Sequence, residues 1–130
     1  MKTKLLLLIA LFESLIAISQ PEIEWQKSLG GSGGDVARSV RQTLDGGYIV
    51  AGYTVSVNGD ISENNGGRDI WVVKLNSAGT IEWDKSIGSM GDEEAYAIQQ
   101  TIDGGYILIG MSDSDDFFGE NIGDDDILIV

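Results

Sequence analysis

The chain has 130 residues and a formal net charge of −13, from 21 acidic and 8 basic residues. Such a surface repels phosphate backbones and anionic membranes, which argues against nucleic acid as a partner and leaves cations and neutral glycans open. Because the chain contains no Cys and no His, disulfides, thiolate nucleophiles, the usual zinc sites and His-based acid–base catalysis are excluded. A hydrophobic content of 42% together with 18 glycines predicts a folded domain with many turns.

Residues 1–19 have the pattern of a secretory signal peptide. Two lysines precede an apolar run at 5–12, and small residues at Ala17 and Ser19 occupy the −3 and −1 positions of a cleavage site. Glu13 interrupts the apolar stretch, which argues against a membrane span, since a span needs ~20 apolar residues. We therefore expect cleavage after Ser19 and an exported protein that is secreted, periplasmic or bound at the cell surface.

The remainder of the chain contains two similar units. The sequence QTLDGGYIVAGYT at 42–54 returns as QTIDGGYILIGMS at 100–112, which is 58 residues later. DIWVV at Asp69 returns as DILIV at Asp126, with an offset of 57, so one residue has been lost between the two matches. A fixed period with a change in loop length is typical of a repeat architecture.

Each unit has the pattern of four short strands. Asp-Gly pairs between β-branched runs are strong hairpin signals, because glycine adopts the positive φ that such turns need. No segment shows a sustained helical period. The predicted strands of the first unit are VARSVRQT at 36–43, YIVAGYT at 48–54, DIWVVKLN at 69–76, with a turn closed by Gly79, and TIEWDKSI at 80–87.

The central strands are apolar on both sides. Ile70 and Val72 point one way in the third strand, and Trp71 and Val73 point the other way, which indicates a sheet covered on both faces. Four antiparallel strands, buried on both faces and repeated in series, predict an all-β fold of β-propeller blades of about 58 residues. In this interpretation the aromatic residues are packing positions: Trp71 because it alternates with apolar neighbours in a central strand, and the recurring pairs Trp25 with Trp83 and Tyr48 with Tyr106.

The predicted organisation contains an incomplete ring. IEWQKSL from Ile23 matches IEWDKSI from Ile81, so we interpret it as an orphan fourth strand. Two units are too few for a ring, which needs at least ~4 blades. We therefore expect either that Val130 truncates a longer repeat protein or that several chains assemble. The segments are a signal peptide at 1–19, the orphan strand and glycine-rich linker at 20–35, a first blade at 36–88 and an incomplete second blade at 89–130.

The stretch from Trp25 to Leu75 follows the pattern W-x-K-S-x-G-G, then Q-T-x-D-G-G-Y-[IV], then D-[IL]-W-[VI]-[VI]-K-L, and the second unit repeats much of it. This pattern resembles the repeats of secreted propeller-like proteins from Bacteroidota, which often carry a C-terminal sorting domain for type IX secretion. The resemblance covers nearly all of 23–130 and implies export and a propeller fold, without indicating a ligand. The chain departs from these proteins in its shorter length, and no sorting domain is recognisable at its end.

The strongest metal-binding candidate is an acidic loop at 112–126. It contains Asp113, Asp115, Asp116 and Asp124, and flexible loops rich in Asp and Asn can supply the 6–8 oxygens that Ca²⁺ takes. The alternative interpretation is a solvated turn whose side chains cap their own backbone.

Two further features have structural interpretations. GGSGG at 30–34 lacks the Lys-Ser/Thr pair and the helix of a phosphate-binding loop, so we interpret it as a flexible loop between blades. Asp69 and Asp126 are expected to accept backbone hydrogen bonds where the third strand of each unit begins.

No catalytic constellation is visible in the sequence. Serines are plentiful, but no His is present to activate one, and runs of acids on loops do not show the facing carboxylate pair of a glycosidase. The sequence therefore predicts an exported, non-catalytic protein, without a cofactor unless Ca²⁺ binds, that acts in binding or cell-surface interaction with a protein or glycan. The alternatives are a propeller segment of a larger secreted enzyme and a small β-rich lectin.

Overall fold

The computed structural model describes residues 20–114 and 126–130. The predicted signal peptide and most of the acidic loop therefore lie outside the described residues. The described part is all-β and contains no helix. Its strands are β1 (Asp35–Gln42), β2 (Tyr48–Thr54), β3 (Asp69–Leu75), β4 (Ile81–Ile87), β5 (Glu93–Gln100), β6 (Tyr106–Ser112) and β7 (Asp126–Ile129).

The strands form two antiparallel sheets. Sheet A has four strands in the order β1-β2-β3-β4, and sheet B has three in the order β5-β6-β7. The two sheets share one register, since Gly52 pairs with Trp71 in sheet A and Gly110 pairs with Leu128 in sheet B. The register shift after Ala37 in β1 also recurs at the equivalent place in β5. The all-β fold and the strands predicted for the first unit are thus confirmed.

The Asp-Gly turns have the predicted chemistry. Gly46 has a φ of +82° in the turn between β1 and β2, and Gly104 has a φ of +88° in the equivalent turn of sheet B. In the first turn, Asp45 Oδ1 accepts hydrogen bonds from the Gly47 amide, at 2.9 Å, and from the Thr43 hydroxyl. Each Asp therefore closes its own hairpin, as turn-forming Asp residues do.

The two sheets stack through β5, which packs across β1, β2 and β3. This contact buries one face of each sheet, and we call it the internal interface. Its core members come from both sheets and are Ile49, Ala51, Ile70, Val72, Ala95, Ile98 and Leu108.

The opposite face of sheet A, which we call the outer face of sheet A, has its own apolar cluster. Trp71, Val73 and Leu75 of β3 are buried there with Ile61 from the loop before that strand. Because the internal interface covers the other side, every residue of β3 is buried. The prediction that the third strand of the first unit is covered on both faces is therefore confirmed.

The N-terminal segment has no strand partner within the described part of the chain. Residues 23–29 form no hydrogen-bonded strand there, so the orphan fourth strand stays a prediction. The segment lies over the outer face of sheet A, where Leu29 packs against the apolar cluster. A strand needs a neighbouring sheet edge for its backbone groups, and this segment lies over a face of sheet A.

The glycine-rich loop at 30–34 is tied down through its backbone. The Gly30, Gly31, Ser32 and Gly33 amides donate to side chains of Asp60, Asp35, Asn58 and Ser56, respectively, at distances of 2.8–3.1 Å. The loop was expected to be flexible, but four successive amides of it donate hydrogen bonds to side chains of the same chain. They are consequently not oriented for a phosphate.

Over the described residues, there is no helix with the length and hydropathy required to cross a membrane.

Candidate functional site

A groove lies between the N-terminal segment and the outer face of sheet A. It has a volume of about 560 Å³, within the range of small-molecule and peptide-binding clefts. Its lining is mainly apolar and includes Trp25 and Leu29 on one side and Val40, Val50 and Trp71 on the other. Val40 is 59% exposed there. The groove therefore offers apolar contact area with few polar groups to fix the orientation of a ligand.

The aromatic residues around the groove are packed as predicted. The Trp25 and Tyr48 rings meet edge to face at 5.7 Å between centroids and 67° between planes, and Trp25 Nε1 donates to the Ser77 carbonyl at 3.1 Å. Trp71 is only 7% exposed, and its Nε1 donates to Asp84 Oδ2 at 3.0 Å. Since both indole N–H groups are used inside the chain, these rings act as packing groups.

The second exposed apolar surface is the face of sheet B that points away from sheet A, which we call the outer face of sheet B. It consists of alternate residues of β6 and β7, with exposures of 47% to 86%: Ile107, Ile109, Ile127 and Ile129. Isoleucines at such exposure on adjacent strands form a continuous apolar patch, and patches of this kind mark interaction surfaces.

Two carboxylates at equivalent positions tie together the loops at one end of the sheets. Asp35 accepts hydrogen bonds from the Gly31 amide at 2.8 Å, from the Ser56 hydroxyl at 3.0 Å and from the Thr54 hydroxyl. Burial works to raise the pKa of the Asp35 carboxyl, but the hydrogen bonds from Thr54, Gly31 and Ser56 outweigh it and lower that pKa.

Glu93 repeats this arrangement 58 residues later. It accepts from the Ser89 amide at 2.8 Å, from the Ser112 hydroxyl at 3.0 Å and from the Ser114 hydroxyl. Each partner is equivalent to a partner of Asp35. A carboxylate that recurs with the same donors is a structural tie, since its lone pairs are occupied by the fold.

Asp69 is a buried carboxylate with one unpaired oxygen. It is 0% exposed, and its Oδ2 accepts from the backbone and side-chain nitrogens of Asn65 at 2.7 and 3.0 Å, whereas Oδ1 has no hydrogen-bond partner. Burial raises the pKa of Asp69, the Asn65 bonds oppose that rise, and the negative charges of Glu93 and Glu63 add to it. The prediction that Asp69 accepts a backbone hydrogen bond where its strand begins is confirmed.

An ion-pair cluster bridges the two sheets. Glu94 of β5 accepts from Arg38 of β1 at 3.2 Å and from Arg68 at 3.0 Å. The two guanidinium groups lie 5.8 and 5.2 Å from the centre of the Tyr53 ring. Because one carboxylate serves two arginines that share an aromatic ring, the cluster fixes the lateral position of β5 on sheet A.

A buried lysine connects three parts of sheet A. Lys74 is 3% exposed, and its Nζ donates to Glu82 at 2.8 Å, to Asp45 at 2.9 Å and to the Leu75 carbonyl at 3.1 Å. Burial works to lower the pKa of Lys74, but Glu82 and Asp45 outweigh it and raise that pKa. The Thr43 hydroxyl, followed by Lys74 and the Gly47 amide, holds the pKa of Asp45 well below its usual range.

Of the four predicted calcium ligands, only Asp113 lies in the described part of the chain. Asp113 exchanges hydrogen bonds with Asp92, accepting from its amide at 2.6 Å and donating its own amide to the Asp92 carbonyl at 3.1 Å. Asp115, Asp116 and Asp124 lie outside the described residues, so the calcium site stays a prediction. Across residues 20–114 and 126–130, no three acidic side chains converge on a point that could hold a metal ion.

Sequence reasoning missed three of these features. The buried Lys74 had a visible signal, since it is a lone cation in an otherwise apolar strand. The Asp35 and Glu93 ties had a signal too, because the serine and threonine partners of both recur at the same spacing. The Arg38–Glu94 pair had none, since the contact depends on how the sheets stack.

No protein-family model matches this sequence, and no curated protein is significantly similar to it. The assignment of a function therefore depends on the surfaces described above.

Proposed function

We propose that this chain is an exported, non-catalytic binding protein built from two β-propeller-type units, and that it acts through the outer face of sheet B and the groove on the outer face of sheet A. The support comes from the surfaces it exposes. Each sheet is apolar on both sides, but the internal interface uses only one side of each. The outer faces of sheets A and B are then surfaces on which other sheets or proteins bind.

The observation that carries the proposal is a contrast between equivalent positions. Ile49 and Ala51 of β2 are 0% exposed in the internal interface, whereas their equivalents in β6, Ile107 and Ile109, are each 47% exposed. A residue type kept apolar in both units but buried in only one indicates a face that is covered when the protein acts.

The polar groups support a role in binding rather than in catalysis. Asp35, Glu93 and Glu94 are occupied by hydroxyl, amide or guanidinium donors of the chain itself. Lys74 is likewise held by two carboxylates inside sheet A. Side chains that have their partners within the fold serve to position strands, and they leave the apolar faces as the surface for recognition.

The proposal is tested by adding units to the chain. Each added copy starts at Glu22 and is joined to the end of the preceding copy by a linker with the sequence of Lys74–Gly79. This linker keeps the spacing that β3 and β4 have in sheet A. Burying four exposed isoleucines adds about 5 kcal/mol for each new contact between copies. That corresponds to an increase in Tm of ~10 °C or more for a chain of this size.

The measurement is thermal unfolding of one, two and three copies followed by circular dichroism. A Tm that rises with copy number supports units that stack through their faces. Identical Tm values for all three proteins would mean that the copies fold independently, and the propeller interpretation would then be abandoned. A matched control carries Ile109→Asp in every copy and is expected to remove the increase.

Export is tested separately by expressing residues 1–130 in a Gram-negative host. The expected result is a periplasmic or extracellular protein whose N-terminus is Gln20. A cytoplasmic protein that retains 1–19 would contradict this part of the proposal.

A further inference from the structure

The outer faces of the two sheets are equivalent, position by position, to the two faces that meet in the internal interface. Four positions of the outer face of sheet B, exposed by 47% to 86%, are equivalent to four positions of sheet A that are 0% to 4% exposed in the internal interface. The exposed and buried members correspond in order: Ile107, Ile109, Ile127 and Ile129 to Ile49, Ala51, Ile70 and Val72.

The outer face of sheet A corresponds in the same way to the other half. Ile98 of β5 and Leu108 of β6 are 2% and 4% exposed where sheet B meets sheet A. Their equivalents, Val40 and Val50, lie on the outer face of sheet A and line the groove. One chain therefore exposes both partners of a contact that it already makes once internally.

Arg38 and Glu94 form an ion pair at the internal interface, and the equivalent positions on the outer faces are occupied by two uncharged residues. Arg38 and Glu94 bind each other across the internal interface. The position equivalent to Arg38 is Tyr96, which is 49% exposed, and the position equivalent to Glu94 is Val36. Both members of this pair change together from charged to uncharged, so a contact between the outer faces does not separate the partners of an Arg–Glu pair at these two positions.

A backbone hydrogen bond can be repeated as well. The Leu44 amide of one hairpin turn donates to the Gln100 side chain at 2.8 Å across the internal interface. The equivalent residues at the outer faces are Ile102 and Gln42. These keep the same donor and acceptor, because the donor is a backbone amide and the acceptor is again a glutamine.

The N-terminal segment occupies the place of a fourth strand. Trp83 of β4 meets Tyr106 of sheet B at 5.8 Å and 67°, which matches the geometry of Trp25 on Tyr48. Residues 23–29 therefore lie over sheet A as β4 lies over sheet B. A sheet docked on the outer face of sheet A would have these residues beside its third strand.

We infer that the outer face of sheet B binds the outer face of sheet A in a second copy of this chain, in a head-to-tail contact that reproduces the internal interface. β7 of the first copy then pairs with residues 23–29 of the second. The register follows from sheet A, where Ile70 pairs with Ile87, so that Ile127 pairs with Leu29. Such heterologous contacts build closed rings or open chains of copies.

This inference rests on the proposed function and names the partner of its two faces. The first test uses two variants that each block one face, Val40→Asp and Ile109→Asp. Both positions are at least 47% exposed, so neither substitution disturbs the core. The unmodified chain from Gln20 to Val130 is expected to sediment as a species larger than one chain, and each variant alone as one chain.

Mixing the two variants gives the decisive result. The Val40→Asp chain keeps an intact sheet B face, and the Ile109→Asp chain keeps an intact sheet A face, so the mixture is expected to form a two-chain species and nothing larger. The control Met90→Asp, at an 84% exposed position of the loop between β4 and β5, is expected to keep the mass of the unmodified protein. A mixture that stays single-chained, or variants that keep the unmodified mass, would overturn the inference.

The second test uses the absence of cysteine from the chain. Oxidation of the double variant Leu29→Cys with Ile127→Cys is expected to give covalent multimers on a non-reducing gel. The matched control, Ser28→Cys with Ile127→Cys, places one thiol on the opposite side of the segment and is expected to give only a small fraction of that product. Equal cross-linking of both would show that the register is wrong.

These outcomes separate the inference from the proposed function. If tandem copies become more stable while the single chain stays monomeric and is not cross-linked, the two faces fit each other only within one covalent chain, and the assembly of separate copies is refuted. If tandem copies unfold like the single chain, the proposed function fails as well.

Discussion

The unpaired oxygen of Asp69 makes this carboxylate a source of instability at neutral pH. A Cβ added to Gly88 would lie 2.6 Å from Asp69 Oδ1 and 2.5 Å from Glu93 Oε2, so the two oxygens converge on the same point beside the backbone. Asp69→Asn keeps an oxygen for the two bonds from Asn65 and places an N–H group where Oδ1 is now. The new donor faces the Glu93 carboxylate.

The expected change follows from two opposing terms. An unsatisfied buried acceptor costs about 1–3 kcal/mol, and the substitution removes it. The two Asn65 bonds become neutral and together weaken by about 1 kcal/mol, since charged acceptors form the stronger bonds. The net effect is an increase in the free energy of unfolding of about 1 kcal/mol at pH 7, or a rise in Tm of about 4 °C.

The pH dependence gives the sharper measurement. Because the folded state raises the pKa of Asp69, its contribution to stability is fully present below the unfolded-state pKa and is lost as the pH rises through the folded-state pKa. The advantage of Asp69→Asn is therefore expected to appear as the pH rises towards 7 and to vanish in acid. Urea unfolding of both proteins across this range measures it.

Asp35→Asn is the matched control, because the folded state lowers the pKa of Asp35. Its contribution is present above the unfolded-state pKa and is lost as the pH falls through the folded-state pKa. This variant is expected to be less stable than the unmodified protein at pH 7. A destabilising Asp69→Asn, or a difference that stays constant with pH, would refute the assignment of Asp69 as a strained carboxylate.

Two other predictions concern sheet A. Gly52→Ala is expected to lower the free energy of unfolding by at least ~2 kcal/mol in urea melts, because the added Cβ would lie 1.8 Å from the Val36 carbonyl oxygen. The control Gly34→Ala, whose Cβ would lie 3.7 Å from its nearest neighbour, should change stability little, and similar losses for both variants would contradict the close approach at Gly52. Lys74→Met is expected to return the pKa of Asp45 towards its usual range in an NMR titration of the carboxyl group, because the lysine is one of the groups that lower it, and an unchanged titration would show that the Thr43 and Gly47 bonds suffice.

The strands of this fold could be predicted from local sequence. β-branched runs such as β2 and β3 are bounded by Asp-Gly and Gly79 turns, and glycine at positive φ is found where the pattern requires it. The apolar residues on both sides of β3 also indicated two covered faces. These features depend on neighbours in the chain, which is why sequence patterns report them.

The N-terminal segment could not be predicted in the same way. Residues 23–29 share side-chain alternation with β4, but a strand also requires an edge that accepts its backbone hydrogen bonds. The pattern shows which side of the segment is apolar and where Trp25 packs. It contains no information on whether a strand edge is available beside it.

The polar contacts of the candidate site were predictable only in part. Asp69 could be placed at the start of its strand because its neighbour along the chain supplies the donor. The Arg38–Glu94 pair depends on how the two sheets stack, which is a tertiary feature, whereas Lys74 stands out in the sequence as the lone cation of an apolar strand. Equivalent positions at a fixed spacing were the one long-range signal in the sequence, and they support the proposed docking of faces.

An experimental structure of the three-copy chain tests the stacking of sheet faces most directly. We expect that Ile107 and Ile109, each 47% exposed in the single chain, become buried between copies and that Ile127 of one copy pairs with Leu29 of the next. A structure in which the copies stand apart with these isoleucines still exposed, or meet through other surfaces, would contradict it.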